Sequence, residues 1–322
     1  MYTRYWGLSE PPFSAAIDLK SAFLPPPVQE GLARLRYTVF EDKALALLTG
    51  EIGVGKTFVL RLFQAECARK GLLCPLVVNP NLDPREFLWA LHQGLGIRPA
   101  EAPLNKARLL GEMVAVARQR LARSSRVVFL VDEAQSVTDT ATIDEIRMLS
   151  NYVVSGRPLF PVILCGQPAL LERIRDFPGI CQRVQVSFHL PAFSREETAG
   201  YIERRLEAAG AGERAPDIIQ PDAVDQVQLY SFGLPRLINN ICDMALLVAG
   251  GEGARFVEAS HVAKAAADRS VPVSSMPPGA EGERFVVPTE PVEPSQEDAW
   301  GATLSRDGLR PAQEVPDFGP FQ

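Results

Sequence analysis

The chain has 322 residues, of which 46% are hydrophobic and 22% are charged, and its formal net charge is −6. This length is sufficient for about two domains with real cores. Residues 271–322 hold nine acidic and three basic residues, whereas the first 270 carry 30 of each sign. The neutral body excludes the bulk positive charge of a general nucleic-acid binder, so the net charge does not indicate DNA as a partner.

The cysteines and the apolar runs indicate in which cellular compartment the protein is expected. The five cysteines are scattered and never form a C-x-x-C pair, which favours reduced core residues over metal ligands or disulfides. Residues 1–6 lack the apolar segment of a signal peptide, and no stretch approaches the ~20 apolar residues of a membrane span. We therefore expect a cytoplasmic protein without an integral membrane segment.

The first strong pattern along the chain is a strand followed by a helix. Residues 44–49 form a short apolar run that is typical of a buried parallel strand. In residues 58–70, Val59, Leu62 and Phe63 share one helical face, and the pattern ends at Gly71. These two elements predict that residues 50–57 lie in a turn between a strand and a helix.

Residues 50–57 read Gly-Glu-Ile-Gly-Val-Gly-Lys-Thr, a full G-x-x-x-x-G-K-T phosphate-binding loop. Its glycines let backbone N–H groups and a helix N-terminus approach phosphate. Lys56 can reach the β- and γ-phosphates, and Thr57 supplies a hydroxyl for Mg²⁺. A chance glycine-rich turn is the alternative, which the strand–turn–helix context disfavours. The predicted nucleotide-binding residues of this segment are Gly50, Glu51, Ile52, Gly53, Val54, Gly55, Lys56, Thr57 and Phe58.

Strands and helices alternate up to residue 190. The strand patterns cover residues 72–78, 127–131, 162–165 and 184–188. The helix patterns cover residues 83–95, 106–122 and 142–153, the first of them with an N-cap and a proline at its start. Such alternation predicts a three-layer αβα domain with a parallel sheet.

The pattern changes after residue 191. A capping box at Ser194 starts a helix to about Ala209, and further helices are predicted at 221–231, 235–249 and 259–268. We therefore divide the chain into an N-terminal segment, an α/β core, an all-helical lid and a tail. These parts comprise residues 1–40, 41–191, 192–270 and 271–322. The acidic tail holds nine of the 27 prolines, so it is predicted to be disordered, with a segment that folds on a partner as the alternative.

Two carboxylates follow the strand at 127–131, in the sequence Asp132-Glu133-Ala134-Gln135. Ligands of open α/β sheets bind at the carboxyl ends of strands. Asp132 is the candidate to hold Mg²⁺, and Glu133 is the candidate to orient and deprotonate the attacking water. A solvated acidic loop is the alternative. With the phosphate loop upstream, these residues predict hydrolysis of a nucleoside triphosphate.

Three further residues are candidates for the nucleotide site, and their position in the sequence leaves more than one role open for each. Gln167 follows the strand at 162–165 and could bond the γ-phosphate or the attacking water, or serve as a turn amide before Pro168. Arg236 starts a lid helix, from which it could fold onto phosphate. Arg183 precedes the last core strand and could project into a neighbouring subunit to neutralise transition-state charge. Most arginines are plain surface residues, which is the alternative for both.

The ordered run of motifs resembles an AAA+ ATPase, and within that superfamily it is similar to the ExeA/GspA-like (general secretion pathway protein A-like) family. The resemblance covers residues 1–268 and rests on residues 5–13, 48–51, 131–135, 149–152, 162–168, 190–205 and 233–239. It implies the P-loop NTPase (AAA+) fold with a helical lid, ATP and Mg²⁺ as cofactors, and a homo-oligomer, either a ring or a filament. It also implies Gln167 as sensor 1, Arg236 as sensor 2, Arg183 as the arginine finger, and an N-terminal segment near the adenine around Phe13 and Leu24.

The function that follows is a Mg-dependent ATPase whose nucleotide cycle drives oligomer assembly or remodelling of a protein client, in secretion or at the cell envelope. Peripheral association with the inner membrane would accompany such a role. Two departures weaken the link to secretion. Members of that group often continue into a membrane span and a peptidoglycan-binding domain, which we do not expect here, and residues 25–30 lack a histidine that is frequent in relatives.

Two other functions remain open from the sequence. The first is an ATP-dependent DNA-binding adaptor of a transposition-like system. The basic cluster Arg118, Arg120, Arg123 and Arg126 could line a DNA path, although such a cluster is more often a solvated helix face. The second is a nucleotide-gated scaffold that hardly hydrolyses, which the intact Glu133 and Arg183 disfavour.

Overall fold

The structure is a computed structural model that describes residues 2–14, 22–97 and 105–267. The predicted acidic tail at 271–322 lies outside the described residues. Within the described ranges, every helix is too short or too polar to traverse a bilayer.

A parallel sheet of five strands forms the centre of the core. The strands of the structure are β1 Leu45–Gly50, β2 Leu76–Val77, β3 Phe129–Val131, β4 Val153–Val154, β5 Arg157–Pro158, β6 Val162–Gly166 and β7 Val184–Leu190. The order in the sheet is β2-β3-β6-β1-β7, and all six residues of the inner strand β1 are buried. Since the carboxyl ends of β1, β3 and β6 point the same way, the loops that follow them meet at one edge of the sheet.

Helices cover both faces of the sheet and make up the C-terminal part. The core helices are α2 Pro26–Phe40, α3 Lys56–Arg69, α4 Pro84–Gly94, α5 Lys106–Ala122, α6 Thr140–Leu149, α7 Ala169–Arg175 and α8 Pro178–Cys181. The remaining helices are α1 Tyr2–Trp6, α9 Arg195–Leu206, α10 Ala215–Ile218, α11 Pro221–Ser231, α12 Pro235–Gly251 and α13 Ala259–Ala267.

The alternation of side chains along β1 divides the core into two layers. Ala46 and Leu48 face the cluster formed with α2 and α3, whereas Leu45 and Leu47 face the cluster formed with α4, α5 and α6. Successive strand residues point to opposite faces, so a sheet buried on both faces needs this continuous apolar run. The predicted three-layer αβα architecture is confirmed.

Two local expectations differ from the structure. The second strand, expected at 72–78, is reduced to β2, because Pro75 has no N–H to donate to the ladder. The helix expected to run to Val153 ends at Leu149 and is followed by the hairpin β4–β5. Ser155 and Gly156 both have positive φ, at 52° and 79°, which is the geometry of a two-residue hairpin turn.

The lid is helical as expected. Helices α9, α11, α12 and α13 follow the predicted patterns closely, with α11 at Pro221–Ser231. The capping box at Ser194 is present. The Ser194 side chain accepts from the Glu197 N–H, and the Glu197 carboxylate accepts from the Ser194 N–H. The lid also contains an isolated parallel bridge between Ile219 and Val257.

The first residues of the chain pack on the lid. The indole Nε1 of Trp6 donates to the carbonyl of Leu246 on α12 at 3.0 Å, and the phenol of Tyr2 donates to Asp243 on the same helix. The N–H of Ser9 donates to the carbonyl of Ala209 at 2.8 Å. Because α2 packs on the core, the N-terminal segment connects the lid to the core.

Candidate functional site

The phosphate loop lies between β1 and α3, where the sequence predicts it. Gly53 and Gly55 have φ values of 83° and 105°, a region in which a side chain would be strained. A Cβ on Gly50 would lie 2.8 Å from the carbonyl oxygen of Leu190, so the β1 end also requires glycine. The loop therefore brings the N-terminus of the 14-residue helix α3 to the edge of the sheet.

Lys56 is the first residue of α3 and is 5% exposed. Its Nζ donates to the carbonyl oxygens of Gly50 and Glu51, at 2.8 and 2.9 Å. Burial lowers the pKa of the Lys56 ammonium, and the nearby carboxylates of Glu133 and Asp132 act in the opposite direction. The loop thus holds a cation at its centre, a suitable partner for a polyphosphate.

Thr57 and Asp132 form the pair that the sequence assigns to a metal ion. The Thr57 hydroxyl donates to Asp132 Oδ2 at 2.6 Å, and the Asp132 side chain is buried just after β3. Hydroxyl and carboxylate oxygens are the ligands that Mg²⁺ prefers. Among the described residues no three His, Cys, Asp or Glu side chains gather to hold a metal, so water and the nucleotide would supply the other ligands. The pair fits Mg²⁺.

Glu133 follows directly and lines the cleft above the phosphate loop. Its φ of 49° places it in the left-handed region, an uncommon backbone for a residue with a side chain. The Glu133 N–H donates to Asp132 Oδ1 at 2.9 Å. The Gln135 side-chain amide donates to the Glu133 carboxylate. Gln135 is not identifiable as a site residue from the sequence, because one of its two partners, Gln167, follows a different strand.

Gln167 and Arg236 are both brought to this edge. Gln167 follows β6, and its N–H donates to Gln135 Oε1 at 3.0 Å. The N–H of Arg236 donates to the Gly53 carbonyl at 3.2 Å, and a Cβ on Gly53 would lie 3.0 Å from the Cβ of Arg236. The start of α12 is therefore in direct contact with the phosphate loop.

Arg183 lies at the other end of the sheet. It precedes Val184, which pairs with Leu45 at the start of β1. With a rise of ~3.3 Å per residue, β1 places roughly 16 Å between Leu45 and Gly50. The structure therefore does not bring Arg183 to the phosphate loop of its own chain.

A cleft of about 250 Å³ is lined by the phosphate loop, the lid and the N-terminal segment. Its lid wall includes Tyr201 and Arg205 from α9 and Asn239 from α12. Arg205 also donates to the carbonyl oxygens of Pro12 and Ser14, at 2.5 and 2.8 Å, which fixes the N-terminal segment at the rim. The i,i+4 spacing of Tyr201 and Arg205 is the sequence signal for one shared helical face.

Three aromatic rings form the apolar side of this cleft. Phe23 packs against Phe193 and Tyr201 with ring centroids 5.9 and 6.1 Å apart. The expectation for the N-terminal segment named Phe13 and Leu24. Phe13 is buried and Leu24 is 41% exposed, whereas the lining residues of the segment are Ser14, Phe23 and Val28. The flat, apolar rings could accept a planar base.

The chain is similar to known proteins in sequence and in fold. Residues 39–174 match the AAA domain family. General secretion pathway protein A of Aeromonas hydrophila is 32% identical over 272 residues, which is 83% of this chain and 48% of that protein. The chain thus spans about half the length of this relative.

Solved structures show the same fold at low identity. Cdc6p of Pyrobaculum aerophilum has a TM-score of 0.62 at 16% identity, covering 79% of this chain and 69% of that chain. The ORC2 protein of Aeropyrum pernix, solved as ADPNP and ADP complexes, has a TM-score of 0.57 at 17% identity, covering 82% and 72%. The matched domain, the fold and the shared sequence together assign the chain to the ExeA/GspA-like AAA+ ATPases of the P-loop NTPase fold.

Proposed function

We propose that the chain binds ATP with Mg²⁺ in the cleft and hydrolyses its terminal phosphoanhydride bond. The observation that supports this most is the contact between Thr57, which follows Lys56 at the start of α3, and Asp132, with Glu133 lining the adjacent cleft. These positions combine a cation for phosphate, oxygens for a metal and a carboxylate for water. They come from two separate segments of the chain.

The proposed roles follow from the side chains. The loop from Gly50 to Phe58 holds the phosphates through its N–H groups, and Lys56 neutralises their charge. Thr57 and Asp132 would hold Mg²⁺, which would supply Lewis-acid stabilisation of phosphate charge. Glu133 orients the attacking water and accepts its proton.

Two residues extend the site on either side of the phosphates. Gln167 acts as sensor 1 from the end of β6, and Arg236 acts as sensor 2 from the start of α12. The contact between Arg236 and Gly53 supports the second role, since it ties the lid to the phosphate loop. A change in the bound nucleotide would then move the lid.

We further propose a homo-oligomer, a ring or a filament, in which Arg183 acts on the nucleotide of a neighbour. The separation of Arg183 from the loop of its own chain supports a role in another subunit. A guanidinium supplied in this way makes hydrolysis depend on assembly. In this proposal the N-terminal segment, the α/β core and the lid comprise residues 1–40, 41–191 and 192–270.

The proposed client is a protein complex of the secretion machinery or the cell envelope, with the chain in the cytoplasm or peripheral at the inner membrane. The support is the sequence shared with general secretion pathway protein A. Because the chain covers 48% of that relative, the shared sequence supports the proposed ATPase activity more strongly than the proposed client.

The alternative of a DNA-binding adaptor depends on the basic cluster, and two of its four arginines have structural partners. Arg126 donates to the Val39 carbonyl and pairs with Asp42, and Arg120 donates to the Gly71 carbonyl. These contacts satisfy carbonyl groups at the ends of α2 and α3. The pair with Asp42 offsets the charge of Arg126, and the carbonyl contacts occupy N–H groups of both arginines, so the cluster offers DNA fewer guanidinium donors than the sequence suggests.

The test is the rate of phosphate release from ATP with and without Mg²⁺, for the wild-type chain and for Glu133→Gln. We expect Glu133→Gln to bind ATP, to hydrolyse it about 100-fold or more slowly, and to accumulate the assembled form. Normal turnover in that variant would remove Glu133 as the base. Repeating the assay over a range of protein concentrations, with and without DNA, separates self-assembly from DNA-stimulated activity.

A further inference from the structure

The Gln135 side chain joins the ends of two strands at the proposed hydrolytic site. It follows β3 by four residues, but its amide contacts the backbone after β6. Its Oε1 accepts the N–H of Gln167 at 3.0 Å, and its Nε2 donates to Glu133 Oε2. One amide group thus connects the proposed base to the segment that carries the proposed sensor.

The orientation of this amide is determined by its partners. A backbone N–H can only donate, so the atom that faces Gln167 is the oxygen. The nitrogen then faces the Glu133 carboxylate, which accepts. Asparagine would be too short to span both partners, and glutamate would face Glu133 with a second acceptor. The two contacts therefore require the glutamine amide in particular.

Gly166 gives the amide its place against β6. A Cβ on Gly166 would lie 2.5 Å from Gln135 Oε1, closer than any ordinary contact. The φ of Gly166 is not positive, so glycine serves here to make space rather than to bend the backbone. Close approach of the amide to the end of β6 depends on this missing side chain.

Glu133 needs such support because of its backbone. A left-handed φ on a residue with a side chain is a strained conformation that persists when its surroundings hold it. The bond from the Glu133 N–H to Asp132 holds the backbone, and the Gln135 amide holds the carboxylate. Both contacts aim the Glu133 side chain along the wall of the cleft.

We propose that Gln135 is a positioning residue that holds the Glu133 carboxylate toward the attacking water and ties it to the end of β6. This inference rests on the proposed function. Since Gln167 is the proposed γ-phosphate sensor, a shift of the β6 end is transmitted to Glu133 through one side chain. Hydrolysis is then sensitive to whether the β6 end is correctly seated on the nucleotide.

The test compares Gln135→Glu, Gln135→Ala and Gly166→Ala with the wild-type chain. Gln135→Glu keeps the shape and the acceptor for Gln167 but loses the donor to Glu133, and Gly166→Ala displaces the amide without altering it. We expect each to lower kcat about 10- to 100-fold through misplacement of the base, while KM and the Kd for ATP change less than about two-fold. Gln64→Glu is the matched control, because its half-buried amide donates to the Cys74 carbonyl away from the cleft.

A second set repeats Gln135→Ala and Gly166→Ala in the Glu133→Gln background. If Gln135 acts through Glu133, these changes alter the residual rate by less than about two-fold there. Equal fold-losses in both backgrounds, wild-type kcat in Gln135→Glu, or a raised kcat would each overturn the proposal. If the wild-type chain itself turns over no faster than Glu133→Gln, the proposed function fails and this inference fails with it.

Discussion

Thr57 and Asp132 are 75 residues apart in the sequence, and a hydrogen bond of 2.6 Å joins their side chains. Thr57 is the second residue of α3, and Asp132 follows the end of β3. The contact exists because β1 and β3 are parallel neighbours of β6, so their carboxyl ends lie at one edge. It brings together two oxygens from separate motifs, a hydroxyl and a carboxylate of the kind that Mg²⁺ prefers.

Replacing the Thr57 hydroxyl should weaken the response to Mg²⁺. Thr57→Val keeps the shape but removes the oxygen, so we expect the Mg²⁺ concentration for half-maximal ATP turnover to rise about 10- to 100-fold. A magnesium titration of the ATPase rate measures it. Thr49→Val is the control, because Thr49 is also buried and its hydroxyl contacts His189 at 3.2 Å. Equal Mg²⁺ requirements in the two variants would contradict the assignment.

Removal of the Lys56 ammonium should reduce nucleotide affinity with little effect on folding. A charge-assisted bond contributes about 1.5–3 kcal/mol, so Lys56→Ala should raise the Kd for ATP roughly 10- to 100-fold. Fluorescent nucleotide binding measures the Kd, and thermal unfolding checks the fold. Arg61→Ala, on the exposed side of the same helix, should leave the Kd unchanged. Unaltered affinity in Lys56→Ala would exclude the loop as the phosphate site.

Arg183→Ala should keep ATP binding but lose turnover, because the guanidinium is expected to act in a neighbouring subunit. Mixing Arg183→Ala with Glu133→Gln should restore part of the activity through hybrid sites that contain an intact Arg183 and an intact Glu133. The exposed Arg118→Ala is the control and should behave as the wild type. If the two inactive variants co-assemble and no activity returns, a finger from the neighbour is contradicted.

The contact between Trp6 and the lid predicts a stability effect. The Trp6 ring is buried and donates to the Leu246 carbonyl at 3.0 Å. Trp6→Phe should lower the free energy of unfolding by about 1 kcal/mol for the lost hydrogen bond, and Trp6→Ala by about 3–5 kcal/mol for the cavity. Denaturant titration measures both. Tyr5→Ala, which removes a half-exposed ring whose hydroxyl donates to the Ala254 carbonyl, should cost far less than Trp6→Ala, and an equal cost would show that Trp6 has no special anchoring role.

Local patterns predicted the central units of the fold well. The strand β1, the phosphate loop and the helix α3 are contiguous in sequence, and their glycine positions and apolar spacing each depend on local backbone geometry. The capping boxes at Asp83 and Ser194 are also local, and both are present. The hairpin β4–β5 was not predicted although Ser155-Gly156 is a turn signal, because each of its strands has two residues, too few for an alternating pattern.

The contacts between distant segments were not predictable in the same way. The position of Gln135 between Glu133 and Gln167 depends on β3 and β6 being neighbours and on the space left by Gly166. The N-terminal segment was expected at the nucleotide, and its first residues are also held by α12 of the lid. Such contacts depend on the packing of whole elements, which no local pattern contains.

The sequence alone determined the phosphate loop and the strand followed by two acids, and which segment carries each, because both are local features. The tertiary structure decided which of these groups meet. It joined Thr57 to Asp132 and Gln135 to the end of β6, and it brought Arg236 to the loop while Arg183 lies at the opposite edge. The physical reason is that strand order and register set distances between residues far apart in the chain, and both are consequences of burying the sheet on two faces.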